Sequence, residues 1–163
     1  MIADGHIHTP FCPHGTADSF EAYIEWAIQQ KVDEISFTEH APLPKGFIDT
    51  TPTKDSAMSA KQLSEYIEKI RILKEEYKRH IRINIGLEID YLAEYEHDIT
   101  DWLNEIGPQL DDSILSVHFI KLNSKYYCID YSADYFGKIA QVAGSVERVY
   151  ERYYDTLKKA ILS

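Results

Sequence analysis

Four short apolar runs in this chain, each of a length typical of a β-strand, end on histidine or glutamate. The runs cover residues 2–8, 32–38, 81–89 and 113–119, and the polar residues at or near their ends are His6 and His8, His40, Glu88 and His118. Segments with helical periodicity separate the runs, which indicates crossover connections and a largely parallel sheet. Because α/β folds place their active sites where parallel strands end, we expect these side chains at one rim. The pattern predicts an α/β fold of about (βα)4.

Five segments between and after the strands are predicted to be helices, because apolar residues recur in them every three or four positions. They cover residues 18–31, 59–80, 92–106, 134–142 and 145–162. Asp18 is predicted to cap the first helix, since Asp-Ser-Phe-Glu has the spacing of a capping box. The fourth strand is predicted to run through His118 to Phe119. Residues 120–129, with Asn123-Ser124 at their middle, are predicted to form a small hairpin.

The first run carries the densest set of candidate metal ligands. His6 and His8 are two residues apart in a strand, so their side chains lie on one face and can reach one ion. Two nearby prolines end the regular structure, which leaves His14 on a loop that can fold back over the strand end. The alternative is that these are surface imidazoles in a polar N-terminus. Cys12 has the chemistry of a ligand, but a mixed histidine and carboxylate site does not require it, so we assign Cys12 to packing.

His40, Glu88 and His118 are unusual residues with which to end an apolar strand. Each has a structural alternative when it is taken singly: a solvated acid for Glu88, and a core histidine bonded to the backbone for the other two. Gly86 removes a side chain from the same face as Glu88, and is predicted to open room beside that carboxylate. One such residue is weak evidence, whereas four successive strands with the same feature favour a shared site.

The residue types of this rim predict metal-dependent chemistry. Imidazoles with a carboxylate suit Zn, Mn or Fe. Asp4 and Glu39 precede candidate ligands, and we expect them to orient imidazoles through hydrogen bonds. Several ligands at one rim imply more than one ion, and paired ions about 3.5–4 Å apart clamp phosphoryl oxygens and generate hydroxide near neutral pH. The sequence therefore predicts phosphoester hydrolysis.

The chain has 163 residues, a formal net charge of −10 and two cysteines. Its length predicts one globular domain. The charge argues against nucleic acid as a partner, because no basic stripe is present to neutralise phosphates, but bound cations would allow a small phosphorylated substrate. No apolar run approaches the roughly 18 residues of a membrane span and no signal sequence is evident, so we expect no membrane partner and a cytoplasmic location. Two cysteines predict reduced thiols rather than a disulfide framework.

Four motifs in order along the chain carry a family resemblance. They cover residues 4–15, 36–42, 86–91 and 116–119, and read DGHIHTPFCPHG, SFTEHAP, GLEIDY and SVHF. The set resembles the motifs of the PHP (polymerase and histidinol phosphatase) superfamily. The first motif is most similar to that of the histidinol-phosphatase branch. The resemblance extends over most of the chain, to about residue 120.

This resemblance implies a distorted (β/α)7 barrel with up to three divalent metal ions at its C-terminal rim. It also implies hydrolysis of L-histidinol phosphate to L-histidinol and phosphate, a late step of histidine biosynthesis, with Glu88 and His118 in catalytic positions. The implied ligands are His6 and His8 for the first metal, Glu88 between the first and second, His118 for the second, and His14 and His40 for the third.

The sequence also departs from the family pattern, which includes a later histidine and a closing Asp-x-His motif. No histidine follows His118, and the chain stops inside the last predicted helix. We therefore expect residues 1–163 to be a single, truncated PHP domain that is not a competent phosphatase alone. Unpaired strand edges in a half barrel favour association into a homo-oligomer. Two alternatives stay open: another PHP-type phosphoesterase or nuclease, and a catalytically inactive half barrel that binds metal or a partner.

Overall fold

A four-stranded parallel sheet forms the centre of the fold. The computed structural model describes residues 1–13 and 15–163. The strands lie side by side in chain order and are β1 (Ala3–Ile7), β2 (Glu34–His40), β3 (Arg82–Asp90) and β4 (Asp112–Ser116). In this register His40 lies beside Glu88, and Asp90 lies beside Ser116. The predicted parallel α/β sheet is confirmed, and the strands end together at one edge.

The two faces of the sheet differ because side chains alternate along each strand. Phe37 and Leu87 are fully buried on the apolar face, which packs against α1 (Phe20–Gln29) and α2 (Leu63–Tyr77). Phe20 meets Phe37 edge-on, with 4.9 Å between ring centres. The intervening residues of β2 and β3 are polar or small, and are Ser36, Thr38, Asn84, Gly86 and Glu88. The apolar face therefore anchors the sheet, and the polar face carries Glu88 to the rim.

Strands β2 and β3 approach each other closely at Gly86. A Cβ at this position would lie 2.7 Å from Thr38 Cγ2 and 2.9 Å from Phe37 O. The room that the sequence led us to expect beside Glu88 is therefore filled by Thr38 and by the backbone of β2. Gly86 permits close strand packing rather than an opening next to the carboxylate.

The other elements follow or flank the sheet. They are α3 (Glu96–Ile106) between two short 3-10 turns (Ala93–Tyr95 and Gly107–Gln109), the hairpin strands β5 (Phe119–Leu122) and β6 (Lys125–Cys128), α4 (Ala133–Ala143) and α5 (Val146–Leu162). The predicted hairpin is confirmed: Asn123 and Ser124 have φ angles of 46° and 67°, the left-handed values of a two-residue hairpin turn. Within residues 1–13 and 15–163, no helix is long and apolar enough to cross a membrane.

The first helix is capped by Ser19, not by the adjacent Asp18 that the sequence predicted. Ser19 Oγ accepts a hydrogen bond from Ala22 N at 3.2 Å, so Ser19 is the cap. Asp18 instead accepts from the hydroxyl of Thr16 at 2.8 Å. Adjacent Asp and Ser residues are both good caps. The capping-box spacing favoured Asp18, because Glu21 lies three residues after it, but the helix begins at Phe20 and takes Ser19 as its cap.

The fourth strand is shorter than predicted. β4 ends at Ser116, and Phe119 leaves the parallel sheet to pair with Cys128 in the hairpin. His118 therefore lies on the connection between two sheets rather than in a strand. The apolar sequence is continuous across this connection, so sequence alone could not separate the two strands.

Candidate metal centre

Glu88 lies at the centre of a ring of histidines at the carboxyl edge of the sheet. The shortest distances from a ring nitrogen to a Glu88 oxygen are 3.0 Å for His6, 3.4 Å for His8, 3.4 Å for His40 and 3.2 Å for His118. The structure thus brings together five of the six predicted ligands. The sixth, His14, lies outside the described residues.

The two carboxylate oxygens of Glu88 have different partners. Oε2 faces the histidines at the ends of β1 and β2, and Oε1 faces His118 and accepts from Ser116 Oγ at 2.5 Å. Burial would raise the pKa of Glu88, but hydrogen bonds from His118, His8 and Ser116 hold that pKa well below its usual range. Glu88 is therefore a charged carboxylate that offers one oxygen to each side, which is what a ligand shared by two ions needs.

Glu39, for which the sequence analysis proposed an orienting role, contacts the imidazole of His8. Its Oε1 accepts from His8 Nδ1 at 3.1 Å, and its Oε2 accepts from the backbone N and the hydroxyl of Thr9 at 2.8 and 2.7 Å. Burial would raise the pKa of Glu39, but hydrogen bonds from His8 and Thr9 outweigh burial and lower it. The fully buried carboxylate thereby fixes the ring of His8 with Nε2 directed at Glu88.

His118 is held in the same way by Asp90, a residue to which the sequence analysis gave no such role. Asp4, which the sequence analysis expected to orient an imidazole, has a different contact. Asp90 Oδ1 accepts from Nδ1 and from the backbone N of His118 at 3.0 and 3.1 Å. Asp4 Oδ1 accepts from the backbone N of His6 at 3.1 Å, and this exposed hydrogen bond does not involve the imidazole. The signal for Asp90 was its position two residues after Glu88, which places both on the same strand face.

The pKa values of two rim histidines are raised, and that of a third is lowered. Hydrogen bonds with Cys12, Glu39 and Glu88 raise the pKa of His8 to about 11. Burial alone would lower the pKa of His118, but hydrogen bonds with Asp90 and Glu88 outweigh it and raise that pKa to about 10. Burial lowers the pKa of His40 to about 4, so its ring is neutral at pH 7. A divalent ion would supply the same positive charge and release the protons of the other two rings.

The donor atoms fit divalent metal ions. They form three overlapping groups of three, and within each group the ligand atoms lie within 4.8 Å of one another. The groups are His6, His8 and Glu88; His40, Glu88 and His118; and His8, Cys12 and His40. Neutral imidazole and carboxylate are ligands for Zn, Mn and Fe. The groups share members, so a single rim gathers all of these donor atoms.

Cys12, which the sequence assigned to packing, belongs to the third of these groups. It is buried, and its thiol lies beside the rings of His8 and His40. Cys12 N donates to Thr9 O at 2.9 Å, and Gly15 N donates to Cys12 O at 3.2 Å. This turn folds the segment back over the end of β1, a path that the chain's prolines suggested but did not specify.

A cavity of about 310 Å³ lies beside the ring of histidines. Its wall combines residues from the rim with residues of the loop after β2 and of the segment after β6: His40, Thr51, Asp55, Ser56, Asp90, His118, Cys128, Asp130 and Tyr131. Three of them are aspartates, and no lysine or arginine is among the described residues that line it. The aspartates give the wall negative charge, which favours a small molecule with a positively charged group.

The family model of the PHP domain matches residues 4–162, nearly the whole chain. This chain belongs to the PHP domain family. The match includes β2, β3, β4 and all of β1 except its first residue, together with the rim at which their side chains meet. The PHP resemblance inferred from the four motifs is thereby confirmed.

Named relatives of this PHP chain are histidinol phosphatases. The chain is 51% identical over 160 residues to the histidinol-phosphatase of Bacillus subtilis, an alignment that covers 98% of this chain and 60% of the relative. It is 32% identical over 120 residues to the histidinol-phosphatase of Lactococcus lactis, covering 72% of this chain and 39% of the relative. The chain therefore spans about 60% of the length of the Bacillus subtilis relative.

Two crystal structures share the fold of this PHP chain. One, described provisionally as a histidinol phosphatase from Listeria monocytogenes, aligns with a TM-score of 0.94 and 38% identity over 99% of this chain and 61% of that one. The other, histidinol phosphate phosphatase from Lactococcus lactis in complex with Zn, L-histidinol and phosphate, aligns with a TM-score of 0.60 and 27% identity over 76% of this chain and 41% of that one.

Proposed function

We propose that this chain carries the metal centre of a phosphomonoester hydrolase that converts L-histidinol phosphate and water to L-histidinol and phosphate. The observation that carries the proposal is the position of Glu88, with histidines on both carboxylate oxygens, next to a cavity with an acidic wall. The names of the relatives support the same reaction. The same proposal makes the four-stranded sheet the N-terminal portion, about (βα)4, of a distorted (β/α)7 barrel, which fits the 61% of the Listeria monocytogenes chain that it covers.

The proposed ligands follow the groups at the rim. His6 and His8 would hold a first ion, Glu88 would be shared between the first and a second, and His118 would hold the second. His40, together with His14, would hold a third. Bound divalent ions supply Lewis-acid stabilisation of phosphoryl oxygens and a nucleophile at neutral pH.

The role of the neighbouring residues is to keep the ligands in one orientation. Glu39 engages Nδ1 of His8, and Asp90 engages Nδ1 of His118, so that both rings direct Nε2 toward Glu88. Ser116 donates to Glu88 Oε1 and restricts rotation of the carboxylate. Preorganised ligands of this kind need no rearrangement when negative charge develops on a phosphoryl group.

The cavity beside the ring of histidines is suited to bind a leaving group that is a positively charged alcohol. L-histidinol carries an ammonium group and an imidazole, and the wall contributes Asp55, Asp90 and Asp130. Asp130 is the most suitable contact for the ammonium group, because its side chain is 58% exposed and its Oδ2 lies 3.9 Å from His118 Nε2. Tyr131 also lines the cavity, and an aromatic ring is a suitable partner for a cation. The same wall would repel a nucleic-acid backbone, which disfavours nuclease activity.

The test is to purify the full-length gene product and measure phosphate release with added Zn²⁺ or Mn²⁺. The substrates are L-histidinol phosphate and glycerol phosphate, a phosphomonoester with an uncharged leaving group. We expect metal-dependent release, with a kcat/KM for L-histidinol phosphate higher by about 10-fold or more, since a charge-assisted contact contributes about 1.5–3 kcal/mol. Equal values for the two esters would contradict the assignment of the substrate. Absence of release with either metal would contradict phosphatase activity altogether.

A further inference from the structure

Cys12 provides a donor atom at the rim that the proposed ligand set does not use. Its Sγ and the ring nitrogens of His8 and His40 lie within 4.8 Å of one another. Its thiol also interacts directly with the ring of His8. His8 and Cys12 lie at the end of β1 and in the turn after it, and the pairing of β1 with β2 brings His40, which is distant in sequence, beside them.

The backbone around Cys12 holds the thiol in this position. Cys12 is only 6% exposed, and the hydrogen bonds from Cys12 N to Thr9 O and from Gly15 N to Cys12 O close a compact turn. Gly15 packs directly on the cysteine: a Cβ there would lie 2.9 Å from Cys12 Cβ and 3.4 Å from Cys12 Sγ. A larger residue at position 15 would therefore press on the side chain of Cys12, and glycine allows the turn to close on the cysteine.

We propose that the Cys12 thiolate is a ligand of the metal centre, at the end formed by His8 and His40. On binding, the thiol releases its proton to solvent and a sulfur–metal bond forms, with no change of oxidation state. Thiolate is a soft ligand that selects Zn²⁺ over Mn²⁺. The chain would therefore bind a thiophilic ion at this end of the centre. The inference rests on the proposed metal centre but not on the proposed substrate.

The other cysteine of the chain is a matched control. Cys128 is as buried as Cys12, at 5% exposed, but its Sγ donates to Asp130 Oδ1 at 3.0 Å. It belongs to none of the three ligand groups that the described residues form. A cysteine that merely fills space behaves as a small apolar residue. Replacement of Cys128 therefore reports the effect of losing a buried thiol without losing a ligand.

The experiment loads the full-length protein with Co²⁺, which replaces Zn²⁺ and shows a thiolate-to-metal charge-transfer absorption in the near ultraviolet when sulfur is bound. We expect this band in the wild type and in Cys128→Ser, and we expect its loss in Cys12→Ser. A further variant, Cys12→Asp, restores a ligand through oxygen and should bind Co²⁺ without the band. In Cys12→Ser the ratio of Zn²⁺ to Mn²⁺ affinity should fall by about 10-fold or more, since even outer partners of metal ligands contribute 10–100-fold.

The outcomes separate this inference from the proposed function. A wild-type protein that binds Co²⁺ without the band overturns the role of Cys12 and leaves the metal centre intact. If the band persists in Cys12→Ser and disappears in Cys128→Ser, the bound sulfur is that of Cys128. This result also overturns the proposed role of Cys12. Failure of the wild type to bind Co²⁺, Zn²⁺ or Mn²⁺ overturns both the inference and the metal centre. Absence of the band in wild-type protein that binds Co²⁺ overturns the inference by itself, whatever the stability of the variants, and the variants assign a band that is present to one of the two cysteines.

Discussion

At the scale of single residues, the rim depends on two carboxylates that hold histidine rings in place. Glu39 bonds His8 and Asp90 bonds His118, each through Nδ1 at 3.0–3.1 Å. The sequence predicted Glu39 and missed Asp90, because adjacency to a histidine was the only criterion used and Asp90 lies 28 residues before its partner. It also could not place Cys12, whose position depends on the conformation of a turn.

The difference between Asp90 and Asp4 gives a prediction at this scale. Asp90→Asn in the full-length protein should lower metal content and kcat/KM by about 10–100-fold, because the ring of His118 loses its carboxylate partner. Asp4→Asn is the matched control, since the hydrogen bond that Asp4 accepts among the described residues comes from the backbone of His6 and not from an imidazole. Metal analysis and phosphate-release kinetics measure both effects. If the two variants lose metal equally, the orienting role of Asp90 is wrong.

At the scale of elements, the parallel sheet and the edge that carries the ligand-type residues could be predicted, because these residues follow apolar runs and helical patterns separate the runs. The error at the fourth strand has a physical origin. Ile114 to Ile120 reads as one apolar run, but Phe119 bonds Cys128 in a separate antiparallel ladder. Pairing between residues distant in sequence decides such a boundary, and local propensity does not contain that information.

Close packing of β2 on β3 gives a prediction at the scale of elements. Gly86→Ala should destabilise the protein by about 1–3 kcal/mol, because the added methyl group meets the backbone oxygen of Phe37, which cannot move aside. Gly137→Ala in α4 is the control: no atom lies within 4 Å of the added Cβ, and alanine should stabilise the helix by about 0.5–1 kcal/mol. Urea unfolding measures both changes. A neutral Gly86→Ala variant would refute the close contact.

At the scale of the whole molecule, the cavity is the feature that sequence reasoning could least predict. Its wall joins the loop after β2, the end of β3 and the segment after β6, so it exists only once the hairpin is placed against the loop. Tyr135, in the first turn of α4, connects the segment after β6 to the loop after β2 by donating from its hydroxyl to Thr50 O at 3.1 Å. Neither periodicity nor motif spacing specifies such a contact.

The acidic wall gives a prediction at the scale of the molecule. Asp130→Asn should raise the KM for L-histidinol phosphate by about 3–10-fold, because a half-exposed carboxylate contributes less than the 1.5–3 kcal/mol of a buried charged contact. The KM for glycerol phosphate, which has no ammonium group, should stay unchanged. Steady-state kinetics with both esters measure the effect. A rise of equal size for both substrates would place Asp130 at the phosphoryl group instead.

The most direct test of the proposed metal centre is the metal content and turnover of Glu88→Gln in the full-length protein. The amide keeps the shape of the side chain, but it cannot offer a charged oxygen to each side of the ring. Glu65→Gln, on the exposed face of α2, is the control. We expect Glu88→Gln to lose more than one ion per chain and to lower kcat by more than about 100-fold, beyond the range for residues that only orient a ligand. Full metal occupancy with near-normal kcat would contradict a centre built around Glu88.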